Sequence, residues 1–194
     1  MSIFKPNLNP YFQPAFILEI TKLFYDEKLS AAAYYHIRDV YIDTLVFNKI
    51  LSRQNVELFA DMFNTMPYFG IFDNQGWVRP AYFAFLCLSQ QKGQKVNVRG
   101  TNEDVKSFTT KSGDWIYSVF WNFPSGNEKK YECTVNYKSV KKGNYKIFRI
   151  NAESSVNTLE ILHYGPVSEL EKSPVKITLD PYEIRWIEFT PWNK

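Results

Sequence analysis

The sequence has little of what several function classes need. Its 194 residues contain two cysteines, Cys87 and Cys133. Two are too few for a disulfide framework, and they carry no metal-ligand spacing. His163, one of only two histidines, has no Cys, Asp or Glu spaced to share a metal with it. Neither a metal nor a cofactor is therefore expected. No apolar run approaches the roughly 18 residues of a membrane-spanning helix, so no membrane partner is expected. Residues 1–16 show no basic region followed by an unbroken apolar stretch, and no signal peptide is read there. The compartment stays open. The net charge is only +3. The pairs Lys129-Lys130 and Lys141-Lys142 sit among turn residues, as solvated hairpin ends do. With no Arg/Lys stripe, nucleic acid is not an expected partner. There is no glycine-rich phosphate cradle and no Ser or Cys in a nucleophile elbow. No internal repeat or low-complexity segment is present.

What is abundant is aromatic. Sixteen Phe, 13 Tyr and 5 Trp make up 18% of the chain, within a hydrophobic fraction of 45%. That is enough for a packed core and argues against disorder. Aromatic richness suits sugar stacking, and it suits a β-rich core equally well. The length fits one domain or two small ones. It falls short of the roughly 250 residues of a complete eight-fold barrel enzyme.

Residues 1–93 read as mostly helical with one strand. Pro14 suits a first helical position, and Phe16, Ile17, Ile20, Leu23 and Phe24 recur at helical spacing toward an end near Lys28. The short apolar stretch 29–37, ending at Arg38-Asp39, reads as a buried parallel-type strand, apolar on both faces. Val56, Leu58, Phe59, Met62 and Phe63 mark a second helix with Ser52 as its N-cap. Residues 66–70 break it, and Asp73-Asn74-Gln75-Gly76 supplies turn chemistry to a loop or short hairpin. Pro80 opens a last helix, apolar nearly all round and therefore buried on most sides, with Gly93 as its stop.

From residue 94 the period changes. Trp115, Tyr117, Val119 and Trp121 alternate with Ile116, Ser118, Phe120 and Asn122. Similar alternation runs through 131–137, 145–150, 175–179 and 184–189, separated by turn signals at 112–114, 125–127, 142–144 and 180–181. Several short strands at this spacing predict a β-sandwich. The expected organisation is thus residues 1–93 as an α/β unit and 94–194 as an all-β unit.

The first unit has the order helix, strand, insertion, helix, like a slice of an α/β barrel. One strand cannot form a parallel sheet alone. An apolar strand and an apolar helix both need cover that 93 residues do not supply. The expectation is that another chain, or further residues of a longer protein, complete the fold.

Two segments carry a more specific signal. Ala33-Tyr34-Tyr35-His36-Ile37-Arg38-Asp39-Val40 resembles the eighth barrel strand of the glycoside hydrolases of family 39, the β-xylosidase and α-L-iduronidase type, where a Tyr-Trp-x-x-x-Asp pattern ends that strand. Phe69-Gly70-Ile71, a turn with Gly76, and Arg79-Pro80-Ala81-Tyr82-Phe83-Ala84-Phe85 are similar to that family's closing segment, which leads into its eighth helix. The resemblance implies the C-terminal fragment of a (β/α)8 barrel (helix 7 over residues 14–28, strand 8 and helix 8) followed by an antiparallel β-sandwich. It covers nearly the whole chain but only about the last third of the family's length.

The family's reaction needs two glutamates, one acid/base and one nucleophile, about 5 Å apart. They end its fourth and seventh strands. Here Asn102-Glu103 falls in the sandwich half, Asn127-Glu128 in a hairpin turn, and residues 1–10 hold no glutamate. The resemblance therefore implies that both catalytic positions lie upstream of Met1, and no catalytic residue is assigned within the chain. It also implies a carbohydrate substrate and a missing N-terminal barrel half as partners.

On the same mapping Tyr35, His36, Arg38 and Asp39 sit at the carboxyl end of strand 8, the active-site face of a barrel. Tyr35 takes the place of the family's Trp, a floor under the sugar, and His36 is a donor to a sugar hydroxyl. Arg38 and Asp39 either bind hydroxyls by charge-assisted hydrogen bonds or form a structural pair tying the strand to its loop. The change from Trp to Tyr35 leaves the preferred sugar open. Elsewhere the bland readings win. Asp73 is a turn residue, Asp43 and Asp61 lie in loops or on helix faces, and Glu19, Asp26 and Glu27 are solvated helix faces. Cys87 and Trp77 are packing residues.

Three functions compete: a fragment of a retaining O-glycoside hydrolase acting on β-xyloside-like substrates and inactive alone; a non-catalytic carbohydrate-binding sandwich using Trp115, Trp121 or Trp192; and a purely structural sandwich that covers a barrel. Trp115, Tyr117 and Trp121 share one strand face, and large aromatics at period 2 belong more often to a core than to a platform.

Overall fold

The computed structural model describes residues 12–34, 37–39, 41–64, 70–100, 102–124, 129–137, 142–151 and 159–192. Its helices are α1 (Phe12–Asp26), α2 (Thr44–Phe47), α3 (Arg53–Asn64), α4 (Pro80–Gln90) and α5 (Ser168–Lys172). Its strands are β1 (Gln94–Lys95), β2 (Val105–Ser112), β3 (Trp115–Asn122), β4 (Tyr131–Val135), β5 (Gly143–Ile150), β6 (Glu160–Pro166), β7 (Val175–Leu179) and β8 (Ile184–Pro191).

Six strands form one antiparallel sheet in the order β1-β2-β3-β8-β5-β6, and β4 pairs with β7 in a second, two-stranded sheet. Each central strand of the large sheet has two apolar faces. Odd residues of β3 and even residues of β5 and β8 point one way: Val119, Trp121, Phe148, Ile150, Ile184 and Trp186 form one core with the helices α1 and α4. The opposite parity, including Ile116, Phe120, Tyr145, Ile147, Ile187 and Phe189, forms a second core with β7. The period of 2 thus produces three layers: helices, six-stranded sheet, two-stranded sheet. In register, Val119 faces Trp186 and Trp186 faces Phe148. The last two stack at 4.5 Å, as cross-strand aromatic pairs do.

Each helix is made by local chemistry and placed by burial. Pro80 opens α4 at the first turn, where its missing N–H costs nothing. Pro80, Ala81, Phe83, Ala84 and Cys87 are buried, and Tyr82, Phe85, Leu86 and Leu88 pack at the margin. The expectation of a helix buried on most sides holds. α1 buries Pro14, Ala15, Ile17 and Leu18. Phe16 and Leu23, counted in the apolar stripe, are instead exposed. α1 ends where Lys28 takes a positive φ of 57° and the Leu29 N–H bonds back to the Phe24 carbonyl at 2.9 Å, a Schellman-type stop. Ser52 caps α3, its hydroxyl accepting from the Asn55 N–H.

Two strand expectations change. All five runs read as strands after residue 94 are strands, but β1, β2 and β6 are not among them. And of the stretch 29–37, read as a buried parallel strand, residues 29–33 and Ile37 are exposed, Tyr34 is partly buried, and none of the described residues lies in a strand. Among the described residues parallel pairing appears only as one bridge between Arg38 and Phe72.

Cys87 is fully buried and Cys133 half-buried, both free. Burial pushes the Cys87 thiol well above its ordinary range. Thiolate is the reactive form. In the native protein at pH 8, Cys87 is expected to react with a thiol reagent only at the rate of unfolding, while Cys133 reacts faster. Stoichiometric native labelling of Cys87, read by peptide mass, would refute this burial.

Candidate functional site

Three short segments run side by side before α4. Ile37 offers its carbonyl to the N–H groups of Ile71 and Phe72, both at 3.0 Å, and the Asp39 N–H donates to the Phe72 carbonyl at 2.8 Å. Phe72 bridges back to Val78, and the Arg79 N–H donates to Ile71 at 2.9 Å. A tight turn joins the last two segments. The Asp73 carboxylate accepts from the N–H groups of Gln75 (2.9 Å) and Trp77 (2.8 Å), and Gly76 supplies a φ of 90°. Asp73 is therefore the turn residue its context indicated.

Asp39 is the centre of this knot. It is buried, and both its oxygens are engaged. Oδ1 accepts from the Gly70 N–H at 2.6 Å, and Oδ2 pairs with Arg79 Nη2 at 2.7 Å. Gly70 cannot be replaced cheaply. A Cβ there would lie 2.4 Å from both the Asp39 nitrogen and the Phe72 oxygen. The backbone approach that creates the Asp39–Gly70 bond is what demands glycine. A structural Arg–Asp pair thus exists, but the arginine is Arg79, forty residues away, rather than the adjacent Arg38. Arg79 was missed as a partner, although a charged residue immediately before the helix-opening Pro80 was the available signal. Arg38 is exposed, with Nη2 lying over Gly76. Tyr35 and His36 lie outside the described residues.

Near this knot, Tyr34 packs edge-on against Phe85 at 5.0 Å and takes a hydrogen bond from the Gln13 amide, linking α4 and α1. Burial raises its phenol pKa, so it stays protonated. Trp77, expected to pack, is half exposed and donates to the Gln75 side chain at 3.0 Å.

Several other candidates are structural. Asp43 caps α2, accepting from the Leu45 N–H at 2.9 Å. Asp26 pairs with Lys22 at 2.7 Å and with Lys95. Both lysines hold its carboxyl below the usual range, Lys22 foremost. Glu19, read as a solvated helix face, instead accepts from the indole N–H of Trp121 at 3.0 Å. Trp121 is fully buried in the core under α1 and offers no surface to a sugar. Trp115 lies parallel to Tyr117 at 6.1 Å, and Trp192 is exposed.

The fold defines a class: a two-sheet antiparallel sandwich with helices packed on its larger sheet. Solved structures of glycoside hydrolases share it. The chain is similar to a monomeric β-xylosidase from Caulobacter crescentus CB15, with a TM-score of 0.65 and 16% identity over 98% of this chain and 44% of that one. It is also similar to a GH30 endoxylanase from Clostridium papyrosolvens C71, with a TM-score of 0.51 and 10% identity over 87% of this chain and 44% of that one. The chain thus spans less than half the length of either. At these identities the likeness is one of fold. No family model and no curated protein matches the sequence.

Proposed function

We propose that this chain is the C-terminal part of a retaining O-glycoside hydrolase of the family-39 kind. Its own residues would end a (β/α)8 barrel (1–93) and carry the attached sandwich (94–194). The observation that carries the proposal is the fold match to the β-xylosidase over 98% of the chain but only 44% of that enzyme. The uncovered apolar surface of the first unit supports it. Ile37, Leu45, Ile50 and Leu58 are each more than 60% exposed. An apolar surface of this kind marks a missing partner, and here the partner is the preceding barrel units.

In this reading the substrate is a β-xyloside or a related glycoside. The two carboxylates that divide the retaining reaction into glycosylation and deglycosylation lie outside these 194 residues. Tyr35 and His36 line the sugar subsite, as floor and hydroxyl donor, and Arg38 reaches a hydroxyl at its rim. Asp39 acts on the sugar through position. It holds its own segment, Ile37 to Asp39, against Gly70 and Arg79 and so positions Arg38. The sandwich has a structural task, burying the apolar faces of α1 and α4; the core shared by those helices with β3, β5 and β8 favours this.

The test has two arms. The 194-residue chain is expected to show no turnover of aryl β-xylosides. The natural gene product, weighed intact from its source cells, is expected well above 22.8 kDa. Glutamate-dependent hydrolysis by the chain alone would overturn the placement of the carboxylates. A natural product of 22.8 kDa would overturn the fragment reading and leave a non-catalytic sandwich.

A further inference from the structure

On the face away from the helices, the large sheet extends past the small one. A cavity of about 440 Å³ opens there between β5, β6, β7 and α5. That is room for one or two sugar-sized units. Its one end is Arg185, which is 5% exposed in the middle of an apolar strand. The Arg185 Nη1 group bonds Glu183 Oε1 at 2.8 Å and the Ile184 carbonyl at 3.3 Å. Its Nε and Nη2 groups make no bond to a described residue. These two N–H groups form the side-on fork that matches a carboxylate. Glu183 is already held by Arg185, lies 3.9 Å from Arg149, and accepts from the Asp180 N–H at 2.9 Å. Arg149 pairs with Glu160 at 2.5 Å. Among the described residues Arg185 and Arg149 here face Glu183 and Glu160, so what this end offers an anion is the Arg185 fork.

The rest of the cavity suits a hydroxylated body. Strand register puts Arg185 in the row of Arg149, and Ile147 and His163 in the row of Ile187, two residues along the same face. The separation is about 7 Å at ~3.4 Å per residue, the span of one sugar ring. Ile147 and Ile177 give apolar walls. A β-bulge between Ile147 and Phe148 leaves Leu162 unpaired and turns it with His163 to the cavity. At the far end Glu169 Oε2 lies 3.1 Å from His163 Nε2 and accepts from the Tyr145 hydroxyl at 3.3 Å. Gly165 makes this cluster possible, since a Cβ there would meet Glu169 at 2.6 Å and His163 at 2.7 Å. Such a cluster exchanges hydrogen bonds with hydroxyls and, through Glu169, repels a second anion.

We propose that this cavity binds a hydroxylated carboxylic acid of one sugar ring, a uronic-acid unit, with its carboxylate on the Arg185 fork and its hydroxyls toward His163 and Glu169. The proposal is independent of where catalysis resides. The test titrates the 194-residue chain with D-glucuronate and, separately, with D-glucose, and follows backbone amide signals by NMR. The expected result is saturable shifts at Ile147, Leu162, His163 and Lys176, with glucose at least about tenfold weaker because it lacks the charge-assisted pair. Arg185→Lys keeps the charge beside Glu183 but removes the fork, and glucuronate should weaken about tenfold. Leu162→Trp, at an exposed edge position, fills the cavity and should abolish the shifts even if Arg185→Lys fails to fold. Equal binding of the two sugars, shifts confined to other surfaces, undiminished binding by the Leu162 variant, or no shifts at the highest soluble glucuronate each overturn it.

Discussion

Replacing Trp121 by alanine is expected to remove about 3–5 kcal/mol of stability, the usual cost of deleting a buried Trp or Phe. Trp121 is fully buried and packs where β3 meets α1. Its loss would open a cavity that backbone from two layers cannot both close. It would also strip Glu19 of its donor, leaving a half-buried carboxylate facing an apolar hole. A domain holds roughly 5–15 kcal/mol in total, so the variant should sit at or near unfolding. Glu19→Leu separates the two contributions. It leaves the ring in place and orphans only the indole N–H, at about 1–3 kcal/mol. Urea denaturation followed by far-UV circular dichroism measures both. A cost below about 1 kcal/mol for Trp121→Ala would mean that α1 is not held to the sheet by this contact.

Asp39→Ala should be nearly as severe for the segment before α4. It removes the ion pair of the Arg79 guanidinium and the acceptor of the Gly70 N–H together. Breaking a buried pair from one side costs about 3–5 kcal/mol. Arg79 keeps 22% of its side chain in water, so the low end, about 3 kcal/mol, is expected. Asp39→Asn retains an acceptor for Gly70 and should cost less. Amide exchange at Ile71, Phe72 and Asp39 is the direct readout, because those N–H groups bond across the knot. Exchange protection unchanged in Asp39→Ala would show that the backbone bridges alone hold the segments. If the proposed function holds, the same change in the complete enzyme should lower turnover by misplacing Arg38 rather than by removing a reacting group.

The sandwich was legible because its central strands are buried on alternating faces, and burial writes a period into sequence. β3, β5 and β8 each show it. β6 does not. It is an edge strand with Ile161, Leu162 and Tyr164 all exposed, so neither face selects for apolarity. β2 has Phe108 as its one large apolar residue and takes its place from an eight-residue register with β3. The stretch 29–34 misled for the opposite reason. Apolar composition states that a segment needs cover, and among the described residues only Tyr34 finds it, against Phe85.

The site residues divide along the same line. The resemblance rests on residues 33–40 and 69–85, and the chain joins these two segments through the Arg38–Phe72 bridge. It did not disclose that Asp39 is spent on Gly70 and Arg79. That partnership spans forty residues and depends on a backbone approach only glycine allows.

By itself the sequence determined the helix starts at Pro80 and Ser52, the turn at Asp73–Gly76 and the β-alternation after residue 94. Each of these follows from chemistry within a few residues: a fixed φ, a capping hydroxyl, a period of 2. Only the tertiary structure decided which charges meet and what space is left between layers. The Asp39–Arg79 pair, the Trp121–Glu19 bond and the Arg185 cavity all join residues brought close by strand register and helix packing. No local pattern encodes those distances, because they are set by the summed burial of a whole sheet.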